Sequence, residues 1–96
     1  MEGTASVAGD VLATYAADAA REVEGVAGLV EGRLPRQGAV RISVEGGMTV
    51  ELHLELAAGA SAQAVGAEVQ RRVADYLERM AGARPRAVDV VIDQIA

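Results

Sequence analysis

Between positions 48 and 56 the chain reads Met-Thr-Val-Glu-Leu-His-Leu-Glu-Leu, with every even residue apolar and every odd one polar. Side chains alternate across a strand, so this pattern predicts a half-buried β-strand with one wet face. After Ala57-Ala58-Gly59-Ala60 the period changes. Ala62, Val65, Val69, Val73, Tyr76, Leu77 and Met80 recur every three or four residues, which predicts a helix lying on a core. Its opposite side carries Glu68, Arg71, Arg72, Asp75, Glu78 and Arg79. Glu68 with Arg72, and Asp75 with Arg79, are one-turn pairs with the acid first, each worth about 0.3 kcal/mol. Gly82 is the expected stop. Strand and helix are each ~30 Å long from their rises per residue, so one covers the other.

The remaining segments are shorter. Residues 1–8 read as a frayed arm or a short strand. Asp10 is the expected cap of a first helix over 10–24, with Leu12, Tyr15, Ala16, Ala19 and Val23 on its buried side. Gly25 ends that helix, and 26–30 reads as a short strand in which Gly28 signals a bulge or a close approach. Residues 31–38 form the one clear loop, with Gly32, Pro35 and Gly38, and with Arg33 and Arg36 flanking the proline. Residues 39–44 alternate again, with Val40, Ile42 and Val44 expected inward. The turn into the long strand is constrained by parity. A two-residue Gly46-Gly47 turn would place Val44 on the face of Thr49 and Ser43 on that of Val50, and half the apolar set would lie in water. A loop of three or five residues with a glycine at positive φ keeps both alternations in phase. Residues 87–93 form the last strand, with Val88, Val90 and Ile92 inward and Asp89, Val91 and Asp93 outward.

The order α-β-β-β-α-β in a single domain over 1–96 predicts an α+β, two-layer sandwich: a small mixed or antiparallel sheet with two helices on one face. If the long and last strands are parallel, their crossover is expected to be right-handed. The strand order is not fixed by the pattern. Exposed strand edges are expected at 26–30 and at the last strand.

Composition narrows the function more than the fold. Hydrophobic residues make up 51% of the chain, yet Phe and Trp are absent and only Tyr15 and Tyr76 are aromatic, so small side chains at close approach must form the core. The net charge of −5 argues against nucleic-acid binding, which draws most of its affinity from basic patches. It argues, less strongly, against direct docking on an anionic membrane. No cysteine is present, so thiol chemistry is excluded. No apolar run reaches the length of a membrane span, and no secretory leader is recognisable, so the expected location is cytoplasmic.

One constellation carries candidate chemistry. His53, the single histidine, stands between Glu51 and Glu55 on the wet face of the long strand, and Asp89 and Asp93 join that face if the last strand belongs to the same sheet. Acid-His-acid at alternate positions could chelate a metal. The plainer expectation is a solvated face whose charges pair with Arg41 across the hairpin, with no metal and no cofactor. Arg33 and Arg36 could grip an anionic partner; ordinary solubility explains them as well. Gln70, at the rim of the apolar stripe, is a candidate for capping a strand edge or for contacting a partner. No catalytic set emerges. Ser6, Ser43 and Ser61 lack a nucleophile-elbow setting, no glycine fingerprint for a nucleotide occurs, and the paired acids lie on exposed faces. A core this small is also not expected to spare a pocket of ~300 Å³.

Read in order, the pieces resemble the alkaline shock protein, or envelope stress response, family. Glu22-Val23-Glu24-Gly25-Val26-Ala27-Gly28-Leu29 is similar to that family's first helix end and Gly-Val-Ala-Gly turn. Gly38-Ala39-Val40-Arg41-Ile42 and Val50-Glu51-Leu52-His53-Leu54 resemble its central hairpin. Val69-Gln70-Arg71-Arg72-Val73 with Met80-Ala81-Gly82 resembles its second helix, and Val88-Asp89-Val90-Val91-Ile92 its final strand. This chain departs at Ala57-Ala58-Gly59, where members often carry an aromatic, and at Asp89, where Asn is common. The resemblance implies a bacterial cytoplasmic protein without catalytic residues. It would act in cell-envelope homeostasis by self-association or through a small integral membrane protein. The expected contact surface comprises Arg41, Glu51, His53, Glu55, Asp89, Asp93, Arg33 and Arg36. A small-molecule-sensing regulatory domain is the alternative; nucleic-acid binding and direct membrane insertion are not expected.

Overall fold

The structure, a computed structural model, describes residues 8–31 and 38–96; the expectations for the N-terminal arm and for Arg33 and Arg36 fall outside them. The elements are α1 (Gly9–Arg21), β1 (Val26–Leu29), β2 (Val40–Ser43), β3 (Thr49–Leu56), α2 (Ala62–Ala81) and β4 (Ala87–Ile95). The order is the α-β-β-β-α-β expected from the pattern, and the fold is α+β.

β3 is the axis of the sheet. β1 and β2 pair with it antiparallel and β4 pairs with it parallel, so the sheet is mixed. β1 lies along Leu54, Glu55 and Leu56, and β2 along Thr49 to Leu52. They occupy the same flank, end to end. The backbone of His53 shows this: its carbonyl accepts from Val30 N at 2.9 Å and its N–H donates to Ala39 O at 2.9 Å. Both groups of one strand residue point to one edge. β4 runs along the whole opposite flank.

The even residues of β3 face the helices. Val50, Leu52 and Leu54 are fully buried and Leu56 nearly so. They meet Leu12, Ala16, Ala19, Ala20 and Val23 from the α1 side, and Val65, Val69, Val73, Ala74 and Leu77 from α2. α1 lies over β1, β2 and β3, while α2 lies beside α1 and over β4. Ala16 and Ala20 are completely buried, so close backbone approach does the work that aromatic bulk does in other cores. The two tyrosines fill the seam between the helices edge to face, 5.9 Å between ring centroids, and the Arg79 guanidinium lies 5.9 Å from the Tyr76 ring centre.

The hairpin obeys the parity argument. Ser43 stands opposite Thr49 and Ile42 opposite Val50, which leaves a five-residue loop with Gly46 at φ 67° and Gly47 at φ 112°. Arg86 closes that loop by donating from its guanidinium to the Gly46 carbonyl at 2.9 Å. The bulge suspected in β1 is present at Ala27: two steps from Val26 to Gly28 match one step from Leu56 to Glu55.

Several local expectations are corrected. α1 is capped by Ala8 without a side-chain bond, and Asp10 instead sits in the first turn, accepting from Val11 N at 3.0 Å. The helix also ends at Arg21, because the chain turns through 22–25 to reach β1. Val44 lies in the hairpin loop, past the end of β2, and is 70% exposed. Met80, in the last turn of α2, is 46% exposed. The pair of Asp75 with Arg79 does not form: Asp75 bonds Arg71 and Arg84, because the chain beyond Gly82 brings Arg84 back to it at 3.1 Å. Glu68 does pair with Arg72, at 2.9 Å, and also with Arg71, at 2.6 Å; these two cations hold its carboxyl below the ordinary value.

Candidate functional site: the outer face of the sheet

With both helices on one side, the odd residues of β3 form the middle of an uncovered sheet face. Glu51 has Arg41 of β2 as its cross-strand partner on one flank and Asp89 of β4 on the other. His53 has Val91 beside it on β4, and Glu55 has Gly28 and Gln94 as neighbours. The structure thus brings together Arg41, Glu51, His53, Glu55, Asp89 and Asp93 on one face.

His53 is fixed from both sides. Its Nε2 lies 2.7 Å from Glu51 Oε2 and its Nδ1 lies 2.6 Å from Asp93 Oδ2. An ionised carboxylate only accepts, so an imidazolium with a proton on each nitrogen satisfies both contacts at once. The bond to Glu51, then that to Asp93, raises the His53 pKa above its ordinary 6.5; desolvation opposes this more weakly. The ring is 28% exposed, so water screens the pair but does not dissolve it.

A backbone irregularity places Asp93. The register runs regularly to Leu54 opposite Ile92, then shifts so that Glu55 stands opposite Gln94. Had the register continued by one residue, Asp93 would have stood directly beside Glu55, and like charges in that position repel. The extra residue turns Asp93 toward His53 instead. Sequence alternation alone cannot show this; the clash of Asp93 with Glu55 in an unbroken register was the available signal.

The expected pairing of this face with Arg41 does not occur: among the described residues Arg41, Glu55 and Asp89 make no ion pair. His53, rather than Arg41, makes the side-chain contacts to Glu51 and Asp93. Both ring nitrogens of His53 are engaged by acids. Gln70 donates from Nε2 to the Val88 carbonyl at 3.0 Å, a group that β4 turns toward β3 and away from its open edge. A chain this small is not expected to spare a pocket of ~300 Å³. The seam of the helices, however, opens a surface hollow of about 340 Å³ lined by Asp18, Glu22, Arg71, Arg72, Tyr76 and Arg79, a feature not foreseen from the sequence.

The fold is a small α+β sandwich whose outer sheet face is charged among the described residues. The comparison with family models places it further. Residues 1–96 match the alkaline shock protein family, described as having a cell envelope-related function, and the chain belongs to that family. No protein with a curated description matches it. Among solved structures it is similar to a double variant of the MamM CTD, at 15% identity over 88% of this chain and 81% of that chain, with a TM-score of 0.66. Cadmium and manganese forms of other MamM CTD variants also align, each at 15% identity over 88% of this chain, with 94% and 96% of theirs covered and TM-scores of 0.57. At such identity the likeness is one of fold.

Proposed function

We propose that this protein is a non-enzymatic interaction module of cell-envelope homeostasis, working through self-association or through a membrane-anchored protein. One observation carries the reading: among the described residues the mixed sheet has its helices on one face only, and on the other face His53 holds Glu51 and Asp93 in place as an ordered cluster. Ordered surface groups lose little side-chain freedom on docking, so such a face suits recognition. No helix among the described residues is long and apolar enough to cross a membrane.

Light scattering from micromolar to millimolar protein, with affinity capture from detergent-solubilised membranes, tests the reading. Self-association, or capture of an integral membrane protein, lost on changing Glu51, His53 and Glu55 together to alanine with an unchanged circular dichroism spectrum, is the expected result. A strictly monomeric protein with no partner would remove it.

A second reading has an observation of its own. The hollow at the helix seam sets Arg71, Arg72 and Arg79 against Asp18, Glu22 and Asp75 beside Tyr76, a mixed-charge lining suited to a small zwitterionic metabolite in a sensing domain. A rise in melting temperature with such a compound, abolished by Arg79→Ala, is its signature.

A further inference from the structure

We propose that the open edge of β4 receives an extended, basic peptide segment of a partner protein as an added strand, with an Arg or Lys beside Asp89 and an apolar side chain beside Val91. This rests on the interaction reading above and names the chemistry of its partner.

The backbone sets the first condition. Among the described strands β4 is bonded to β3 alone. Arg86 N donates to Met48 O at 2.7 Å, so the even residues from 86 turn their backbone groups toward β3. Ala87, Asp89 and Val91 therefore direct N–H and C=O groups outward, with the spacing an incoming strand needs.

The side chains set the second. Cross-strand neighbours share a face, so the occupant's alternate residues would stand beside Asp89 and Val91. Asp89 is exposed and has no ion pair among the described residues, whereas Glu51 and Asp93 are already held by His53. The row from Arg41 through Glu51 to Asp89 thus ends at the β4 edge on a carboxylate without an ion pair among the described residues. Val91 is only partly buried and offers the next site an apolar surface.

A second copy fits less well. Two β4 strands paired antiparallel about Val91 would set each Asp89 against the other chain's Asp93, and paired in parallel would set Asp89 beside Asp89; like charges opposed in this way destabilise. The β2 edge of another copy could bring Arg41 to Asp89, but two residues on it offers Ala39 or Ser43 to Val91, over a strand of only four residues.

The test is an NMR titration of the ¹⁵N-labelled protein with an acetylated, amidated peptide of sequence Thr-Arg-Thr-Val-Thr-Thr. Its controls carry Glu in place of Arg, or alternate N-methyl groups that block strand pairing. Shifts and slowed amide exchange centred on Ala87, Asp89 and Val91, with preference for the Arg peptide and loss on N-methylation, are expected. Asp89→Arg should reverse the preference, each charge change moving affinity roughly 2- to 30-fold by the range of cross-strand charge pairs; Asp89→Asn, the milder variant, should flatten it. Equal binding of Arg and Glu peptides, or shifts centred elsewhere, overturns the proposal. Light scattering separates the levels. Self-association abolished by Asp89→Arg would assign the edge to a second copy and overturn this inference while leaving the interaction reading intact. Absence of self-association and of any partner would remove both.

Discussion

Replacing Gly25 by alanine tests how tightly the junction of α1, β1 and α2 is built. Gly25 has φ 99°, and an added Cβ would lie 2.5 Å from Val65 Cγ2 and 3.4 Å from the Ala60 methyl. Two costs follow. A side chain at positive φ costs about 1–2 kcal/mol, and forcing a methyl into packed surroundings about 1–3 kcal/mol. The lower entropy of the unfolded alanine chain returns about 0.4–1 kcal/mol. The net loss is about 1–5 kcal/mol, against a total stability of ~5–14 kcal/mol for a chain of this length. Gly59 provides the control: its φ is 84°, but nothing lies within 4 Å of its added Cβ. Gly59→Ala therefore carries only the conformational part, about 0–1.5 kcal/mol after the same offset. Urea denaturation with unchanged m-values reads both, and the melting temperature falls by about 4–8 °C per kcal/mol. Val65→Ala closes the cycle. Alone it removes two buried methyl groups and destabilises by about 1.5–3 kcal/mol. In the Gly25→Ala background it also removes the atom in conflict, so the double variant should be less unstable than the sum by about 1–3 kcal/mol. Strict additivity, or a Gly25→Ala loss equal to that of Gly59→Ala, would refute the reasoning.

Other outcomes follow from single contacts. The folded pKa of His53 is raised, so its contribution to stability is fully present below 6.5 and is lost as pH rises through the folded value. The melting-temperature advantage of wild type over His53→Gln should therefore shrink only above pH 6.5, and an advantage that grows with alkalinity would contradict the pairing. Asp93→Asn should lower the His53 pKa, read from imidazole ¹⁵N shifts. Ser61 caps α2 by accepting from Ala64 N at 3.1 Å, so Ser61→Ala should cost about 1 kcal/mol in urea titration, with Ser61→Asp nearly neutral. Gln70→Ala removes the bond to the Val88 carbonyl and should cost about 0.5–1.5 kcal/mol, with faster amide exchange along β4 than along β1.

Much of this fold is legible where the chain repeats one instruction for long enough. β3 alternates without a fault, and α2 holds its apolar stripe over five turns, so both were readable, as was the odd-numbered hairpin loop that their phases require. The rest was less legible because it depends on which strand lies next to which. Nothing in residues 26–30 or 39–44 states that they share a flank of β3. The bulge at Asp93 answers a repulsion that exists only once β4 is known to run parallel to β3. His53 was identified with Glu51, Glu55, Asp89 and Asp93 as one face, but only Glu51 and the bulged Asp93 bond it, while Glu55 and Asp89 stay apart. Arg84 displaces Arg79 from Asp75 by a turn of the chain that helical spacing does not encode.

The end-to-end arrangement of β1 and β2 has a practical consequence. Each half is indexed on its own, one by its bulge against Leu56 and Glu55, the other by the hairpin from Ser43 to Thr49. Neither depends on the length of chain joining Glu31 to Gly38. An epitope, a fluorophore-bearing insert or a cleavage site placed in that connection should therefore leave the sheet in frame, and makes it the natural handle by which to watch the assembled protein in a cell.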